Sequence, residues 1–195
     1  MPKKIVDDFE RIFLQVTTDK FLSMQALGGE EPFFIYSFDP KEQELISSET
    51  KRLKKRVEQM GHTILTINLY ELTIQMLEDR GMLEKIFQKE QSITKAKLLQ
   101  TLQNMLDVET KIMPYIHKLA KENQTSMLFL EGVGEVYPYI RSHTIINNLQ
   151  KVVADRPTLM FFPGKFDGHK LVLFNKVHDD NHYRAFNIIN YSFEG

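Results

Sequence analysis

A strand, a helix and a second strand are compressed into residues 33–69, and this arrangement restricts the fold more than any other feature of the chain. Phe33-Phe34-Ile35-Tyr36 is a short aromatic and aliphatic run that follows Pro32 and stops at Asp39-Pro40. Leu45, Ile46, Leu53, Val57 and Met60 then recur at helical spacing, and Gly61 closes that helix. Thr63 to Leu69 reads TILTINL, β-branched and apolar, as a strand requires. A strand–helix–strand unit of this length implies two parallel strands joined by a right-handed crossover.

The flanking segments extend the pattern. Ile5, Val6, Phe9, Ile12, Phe13 and Val16 fall three and four residues apart, which predicts an amphipathic first helix with a stop near Leu27-Gly28-Gly29. Residues 70–123 read as a helical insert punctuated by Gly81, by Gln91-Ser92 and by Pro114, and its Leu99, Leu102 and Leu106 read as core. Ser126 to Leu130 returns to strand, and Pro138 to Val153 is expected to be helical with Ile140, Ile145, Leu149 and Val152 on one side. Thr158 to Phe162 is a further strand, expected to end at Pro163-Gly164. Leu171 to Phe174 and Ala185 to Ile189 are strands separated only by turns, which predicts antiparallel pairing. The expected architecture is a single α/β domain over residues 1–195. It is a three-layer sandwich with a mixed, mainly parallel sheet, an antiparallel C-terminal edge and a helical insert in the middle.

Composition removes several function classes. The 195 residues include no cysteine, so disulfides, thiolate nucleophiles and Cys-based zinc sites are excluded. Nothing points to an oxidising compartment, and a cytoplasmic location is expected. In MPKKIVDDFERIF, Asp7, Asp8, Glu10 and Arg11 interrupt any apolar signal-like stretch, and no run approaches the length of a membrane span. A net charge of -1 argues against coating nucleic acid by bulk attraction and leaves local contact open; as a partner, nucleic acid is expected only indirectly.

The stretch from Glu131 to Phe193 is dense in turn chemistry and polar side chains. Gly132-Val133-Gly134 follows a strand, where a phosphate-cradling loop would lie. Neither G-x-x-x-x-G-K-[ST] nor a full G-x-G-x-x-G is present, and a tight turn is the preferred reading. Asp39, Asn68 and Glu131, with Arg141 and His143, are expected near the carboxyl ends of the parallel strands, where α/β proteins bind ligands. Glu131 with Arg141 or His143 can form a charged network there, and capping or ion pairing is preferred over catalysis. His178, Asp179, Asp180 and His182 have the composition of a metal site, but alternation along a hairpin splays such residues, and a solvated turn is the better reading. Ser142 beside His143 is adjacency without a dyad, and no G-x-S-x-G elbow exists. Lys51, Arg52, Lys54, Lys55 and Arg56 put five positive charges into six residues. They can touch phosphates or an acidic partner, or simply occupy the outer face of a helix anchored by Leu53 and Val57. No cofactor is expected.

Several blocks, in order, resemble one family. They are PFFIYSFDPKEQ, the Lys51–Arg56 helix, ILTINLYELTIQMLEDRG, FLEGVGEVYPYIRSHTIINNLQ, MFFPGKFDG and HDDNHYRAFNI. The sequence is similar to the BrxB-like family, small components of the BREX (bacteriophage exclusion) phage-defence systems of prokaryotes. The resemblance runs along nearly the whole chain and is most specific from Phe129 to Ile189. It implies a non-catalytic adaptor. Its expected partners are other BREX components, first the alkaline-phosphatase-like protein and then the methyltransferase or the large ATPase. It carries over no catalytic residue. It marks Asp39, Glu131, Gly132, Gly134, Tyr137, Pro138, Arg141, His143, Pro163, Gly164, Asp179, Asp180, Tyr183 and Arg184 as an interaction or structural surface. The alternative is a degenerate P-loop-like nucleotide-binding protein or a DNA-contacting accessory protein.

Overall fold

A computed structural model describes residues 2–24, 32–179 and 181–191. Four parallel strands form the centre: β1 (Phe33–Phe38), β2 (Ile64–Asn68), β3 (Met127–Glu131) and β4 (Thr158–Phe166). Their order in space is β2-β3-β4-β1, with β7 (Phe186–Asn187) beside β1 at the far edge. β5 (Leu171–Leu173) pairs antiparallel with the end of β4, and β6 (Val177–His178) pairs antiparallel with β5.

The strands are apolar at nearly every position because both faces are covered. Phe34, Tyr36, Met127, Phe129, Leu159 and Phe161 point to one side. There they meet α1 (Pro2–Val16), α2 (Asp19–Leu22) and α3 (Gln43–Gln59) through Ile5, Phe9, Ile12, Phe21, Ile46, Leu53 and Val57. Phe33, Ile35, Leu128, Leu130, Met160 and Phe162 point to the other side. That layer contains α4 (Leu69–Asp79), α5 (Leu83–Glu90), α6 (Lys95–Met105), α7 (Met113–Glu122) and α8 (Ser142–Val152), with a π-helical turn at Val108–Ile112. Residues 70–123 are thus the crossover from β2 to its parallel neighbour β3, and their buried side chains join the same cluster as the sheet. Leu106 is buried and Leu102 packs on this cluster, with Leu98 rather than Leu99 as the third leucine.

Specific contacts bind α1 to its neighbours. Phe9 stacks on Phe161, with ring centroids 5.9 Å apart, and meets Tyr36 edge-on at 5.5 Å. The Tyr36 hydroxyl donates to the buried Asp8 carboxylate at 3.1 Å, and burial together with that carboxylate pushes the phenol well above its ordinary range. Arg56 of α3 makes a bidentate pair with Glu10, and its guanidinium lies 4.0 Å from the centroid of the Phe13 ring.

Three expectations about element ends and one about strand pairing are corrected. The first helix stops at Val16, where Thr18 caps the short α2 by accepting from the Phe21 N–H; Leu27-Gly28-Gly29 lies outside the described residues. Helix α8 starts at Ser142, four residues after Pro138, because residues 132–140 close a series of turns first. Strand β4 passes through Pro163-Gly164 instead of ending there. Pro163 is the last residue paired with β1, opposite Phe38, so its missing N–H costs little at the end of that ladder. Finally, β7 lies parallel to β1, with Phe34 opposite Phe186, and is not the next strand of the antiparallel ribbon. The chain crosses from β6 to the opposite edge, where Phe186 packs near Phe34 and Tyr191 and finds an apolar face.

Candidate functional site

Two constructions occupy the carboxyl end of the parallel strands. The first is a crevice of about 230 Å³ bounded by Phe38 of β1, Asn68 of β2, Glu131 of β3, Pro163 of β4 and the first turn of α3. Gly132-Val133-Gly134 forms one wall. Gly132 has φ +74, and a Cβ there would lie 2.5 Å from Asn68 Oδ1. The Asn68 oxygen is committed, because it accepts from the Tyr70 and Glu71 N–H groups and caps α4. At Gly134 a Cβ would meet the Phe174 ring and Pro163 Cγ at 2.8 Å. The glycine pair is therefore required by close packing of the loop against its neighbours.

Glu131 stands in this crevice. Burial raises its carboxyl above the ordinary range, and Glu71 and Glu135 add to the rise, while the Thr50 hydroxyl and Lys51 oppose it. Two further carboxylates beside the glycine turn make the crevice a poor cradle for phosphate, which needs donors and positive charge. Asp39 does not contribute. It is exposed, and its Oδ1 caps the 3-10 turn Pro40–Glu42 by accepting from the Lys41 N–H at 3.0 Å.

The second construction centres on Asp179. His143, the second residue of α8, brings Nδ1 within 3.3 Å of Asp179 Oδ2. The Tyr183 hydroxyl donates to the same oxygen, and the Asn181 N–H donates to Oδ1 at 3.0 Å. Burial disfavours the charged carboxylate, but the hydrogen bonds from Tyr183 and Asn181 and the nearby His143 outweigh it, so the acid sits below its ordinary range. Burial and that carboxylate push the Tyr183 phenol far up. Beside them the Arg141 guanidinium lies 5.2 Å from the Tyr137 ring centroid, and Tyr137 meets Phe174 edge-on at 6.5 Å. The Tyr137–Pro138 peptide is cis.

The expected charged network is thereby redrawn. Glu131 belongs to the crevice, His143 pairs with Asp179, and Arg141 rests on Tyr137. Glu131 pairs with neither Arg141 nor His143, because those two lie ten and more residues on, past the turns that precede α8. Pro163 lines the Glu131 crevice, Gly164 follows it in β4, and Arg184 is exposed with its carbonyl accepting from Gln150 Nε2. Asp180 lies outside the described residues. Among the described residues no three His, Asp or Glu side chains converge as metal ligands would. Two contributors had a weak sequence signal. Phe174 looked like ordinary strand, and Asn181 was visible only as the end of an Asp-Asp-Asn turn.

The basic helix is largely spent within the molecule. Arg56 and Arg52 face Glu10, Arg52 also meets Glu49 at 3.4 Å, and Lys54 lies 3.8 Å from Glu58. Lys51 and Lys55 are exposed.

Fold and site together define an open α/β sandwich whose carboxyl-edge loops are packed tightly on one another around one aspartate. The family model described as BREX protein BrxB matches residues 65–188. A BREX protein BrxB of Bacillus cereus (strain H3081.97) is 36% identical over 191 residues, covering 96% of this chain and 98% of that protein. A BREX protein BrxB of Escherichia coli O9:H4 (strain HS) is 28% identical over 175 residues, covering 90% of this chain and 86% of that protein. No solved structure gives a significant match. The chain belongs to the BrxB family of BREX phage-defence systems. Among its described residues no helix is long and apolar enough to cross a membrane.

Proposed function

We propose that this protein is a non-catalytic adaptor that docks other components of a BREX complex, the alkaline-phosphatase-like protein first among them. The methyltransferase and the large ATPase are the other partners in view. One observation carries the reading: His143, Asn181 and Tyr183 meet at Asp179, which ties the start of α8 to the loop after β6, and Tyr137 and Arg141 line the same cleft. Rigid aromatic and arginine side chains are the types that dominate binding energy at protein interfaces, and ordering them in advance lowers the cost of association. The exposed Pro138 and Arg141 lie on the outer side of this rim. The carboxylates beside Gly132 weigh against phosphate binding, and the internal ion pairs of Arg52, Lys54 and Arg56 weigh against α3 as a DNA-contacting helix.

The test is co-purification with each BREX component expressed alongside. Association with the phosphatase-like protein is expected, and Arg141→Glu is expected to weaken it at least tenfold while circular dichroism stays unchanged. A wild-type chain that co-elutes with no BREX component, or an Arg141→Glu chain that binds as the wild type does, would overturn the proposal.

A further inference from the structure

Glu131 ends β3 as a half-buried carboxylate, and none of the ion pairs among the described residues includes it. Its neighbours do little to hold the charge. The Thr50 hydroxyl beside it already donates to the Ile46 carbonyl at 2.9 Å, and Lys51 attracts it without forming an ion pair. Glu71 of α4 and Glu135 of the following turn repel it. A carboxylate withdrawn from water is ordinarily paired with a cation. Glu131 instead faces the crevice at the carboxyl end of the strands.

The lining of that crevice selects the cation. Phe38, Phe161 and Phe174 supply aromatic surface, and Pro163 and the Gly132-Val133-Gly134 turn supply the rest of the wall. The turn is fixed, because Gly132 packs on Asn68 and Gly134 on Phe174 and Pro163 with no room for a Cβ. The Asn68 oxygen is held by the cap of α4, which leaves the Glu131 carboxylate to receive an entering donor. Pockets for whole ligands measure about 300–1,000 Å³. This crevice, about 230 Å³, suits a single side-chain head. A guanidinium matches it. The group is planar, weakly hydrated, stacks on aromatic rings and donates two parallel hydrogen bonds to a carboxylate. An ammonium makes neither the fork nor the stack.

The crevice adjoins the docking rim through one side chain. Phe174 lines it, packs on Gly134 and meets Tyr137 of the rim edge-on at 6.5 Å. We infer that an arginine side chain of the docked BREX partner enters this crevice and forms a bidentate pair with Glu131. The inference rests on the docking reading and gives that contact a polarity. The exposed Arg141 calls for an acidic residue on the partner, and Glu131, beyond the Phe174 ring, calls for a basic one.

The probe is ethylguanidinium chloride, added to the full isotope-labelled chain at pH 7, with ethylammonium chloride and sodium chloride as controls. Saturable shifts are expected at the Gly132 and Gly134 amides with ethylguanidinium, weaker ones with ethylammonium and none with sodium chloride. Glu131→Gln, shown to be folded by the unshifted remainder of its spectrum, is expected to lose about tenfold or more in probe affinity, and as much in retention by the partner that holds the wild type. Probe affinity should also fall in acid, as Glu131 takes up its proton; Glu71 and Glu135 favour that uptake, and Thr50 and Lys51 oppose it. A wild-type chain with no saturable shift overturns the inference, and so does a probe that binds Glu131→Gln equally well. A partner that Glu131→Gln retains as the wild type does overturns it too, even where the probe binds; the docking reading then stands and the crevice is no part of the contact. A wild-type chain that retains no BREX component fails differently, because it removes the docking reading itself and the arginine with it.

Discussion

His143 Nδ1 lies 3.3 Å from Asp179 Oδ2, and this contact fastens the first turn of α8 to the loop that follows β6. It joins two segments 36 residues apart in the chain, and Tyr183 and Asn181 reinforce it from the same carboxylate. A carboxylate this enclosed is stable only when every lone pair is used, so its partners are as constrained as it is.

Asp179→Asn should consequently loosen the whole rim. The amide cannot accept as many hydrogen bonds as the carboxylate, and one of its hydrogens faces the Tyr183 hydroxyl or His143. The expected cost is about 1–3 kcal/mol, the range for removing a partner from a charged hydrogen bond, read as a lower urea midpoint. The pH dependence follows from the lowered acid. A carboxyl whose folded pKa lies below its unfolded value adds stability above the unfolded value, near 3.9, and loses it as pH falls through the folded value. The difference between wild type and Asp179→Asn should be full at pH 7 and shrink below about pH 4.

Glu131→Gln should act in the opposite direction. Burial raises this carboxyl, so the folded state holds its proton more tightly than the unfolded chain does. Such a group favours the folded state below the unfolded pKa, and that advantage is lost as pH rises through the folded pKa. At pH 7 the charged Glu131 therefore opposes folding, and the neutral amide should raise Tm. The gain should vanish near pH 4, where both side chains are neutral. A Tm that falls at pH 7 would mean that the Thr50 and Lys51 contacts outweigh burial.

Arg56 supplies a prediction about the basic helix. Its bidentate pair with Glu10 and its contact with the Phe13 ring join α3 to α1, and lysine can reproduce neither the fork nor the stacking. Arg56→Lys should be destabilising, whereas Lys55→Ala, on an exposed position, should stay within about 0.5 kcal/mol. A double-mutant cycle between Glu10→Gln and Arg56→Met should give a coupling of roughly 0.5–1 kcal/mol, since Glu10 is half exposed and the pair is partly screened. Doubling the salt concentration should reduce that coupling.

The parallel centre was legible because β1, β3 and β4 are buried on both faces and so carry unbroken apolar runs; Phe33–Tyr36 and Met127–Leu130 are examples. The strand–helix–strand spacing then forced the crossover from β1 to β2. What the sequence concealed depends on partners far along the chain. Phe186–Asn187 is too short to declare its direction, and only the apolar face at Phe34 draws it alongside β1. Pro163 reads as a terminator, yet it sits where β4 leaves one neighbour for another and needs no N–H. The family motifs around Gly132 and Asp179 were visible as unusual composition. Their meeting was not, because a contact between His143 and Asp179 has no local periodicity to announce it.

Gly164 offers the sharpest test of that strand switch. It is the first residue of β4 paired with β5, opposite Leu173. A Cβ at this position would lie 2.1 Å from the Val172 carbonyl oxygen, and the obstacle is backbone that cannot rotate away. Gly164→Ala must therefore push β5 off β4, and with it the Phe174 ring that closes over Gly134. The expected cost exceeds the usual 0.5–3 kcal/mol of a point substitution, because ladder hydrogen bonds and the packing of β5 are lost together. Gly61→Ala is the control, since its added Cβ meets nothing and only the positive φ of +88 is penalised. In urea titrations Gly164→Ala should lose clearly more stability than Gly61→Ala. Amide exchange should localise the damage to Leu171–Leu173 and leave β2 and β3 protected. Equal losses for the two glycines would mean that β5 is free to shift, and that the rim around Asp179 does not depend on its register with β4.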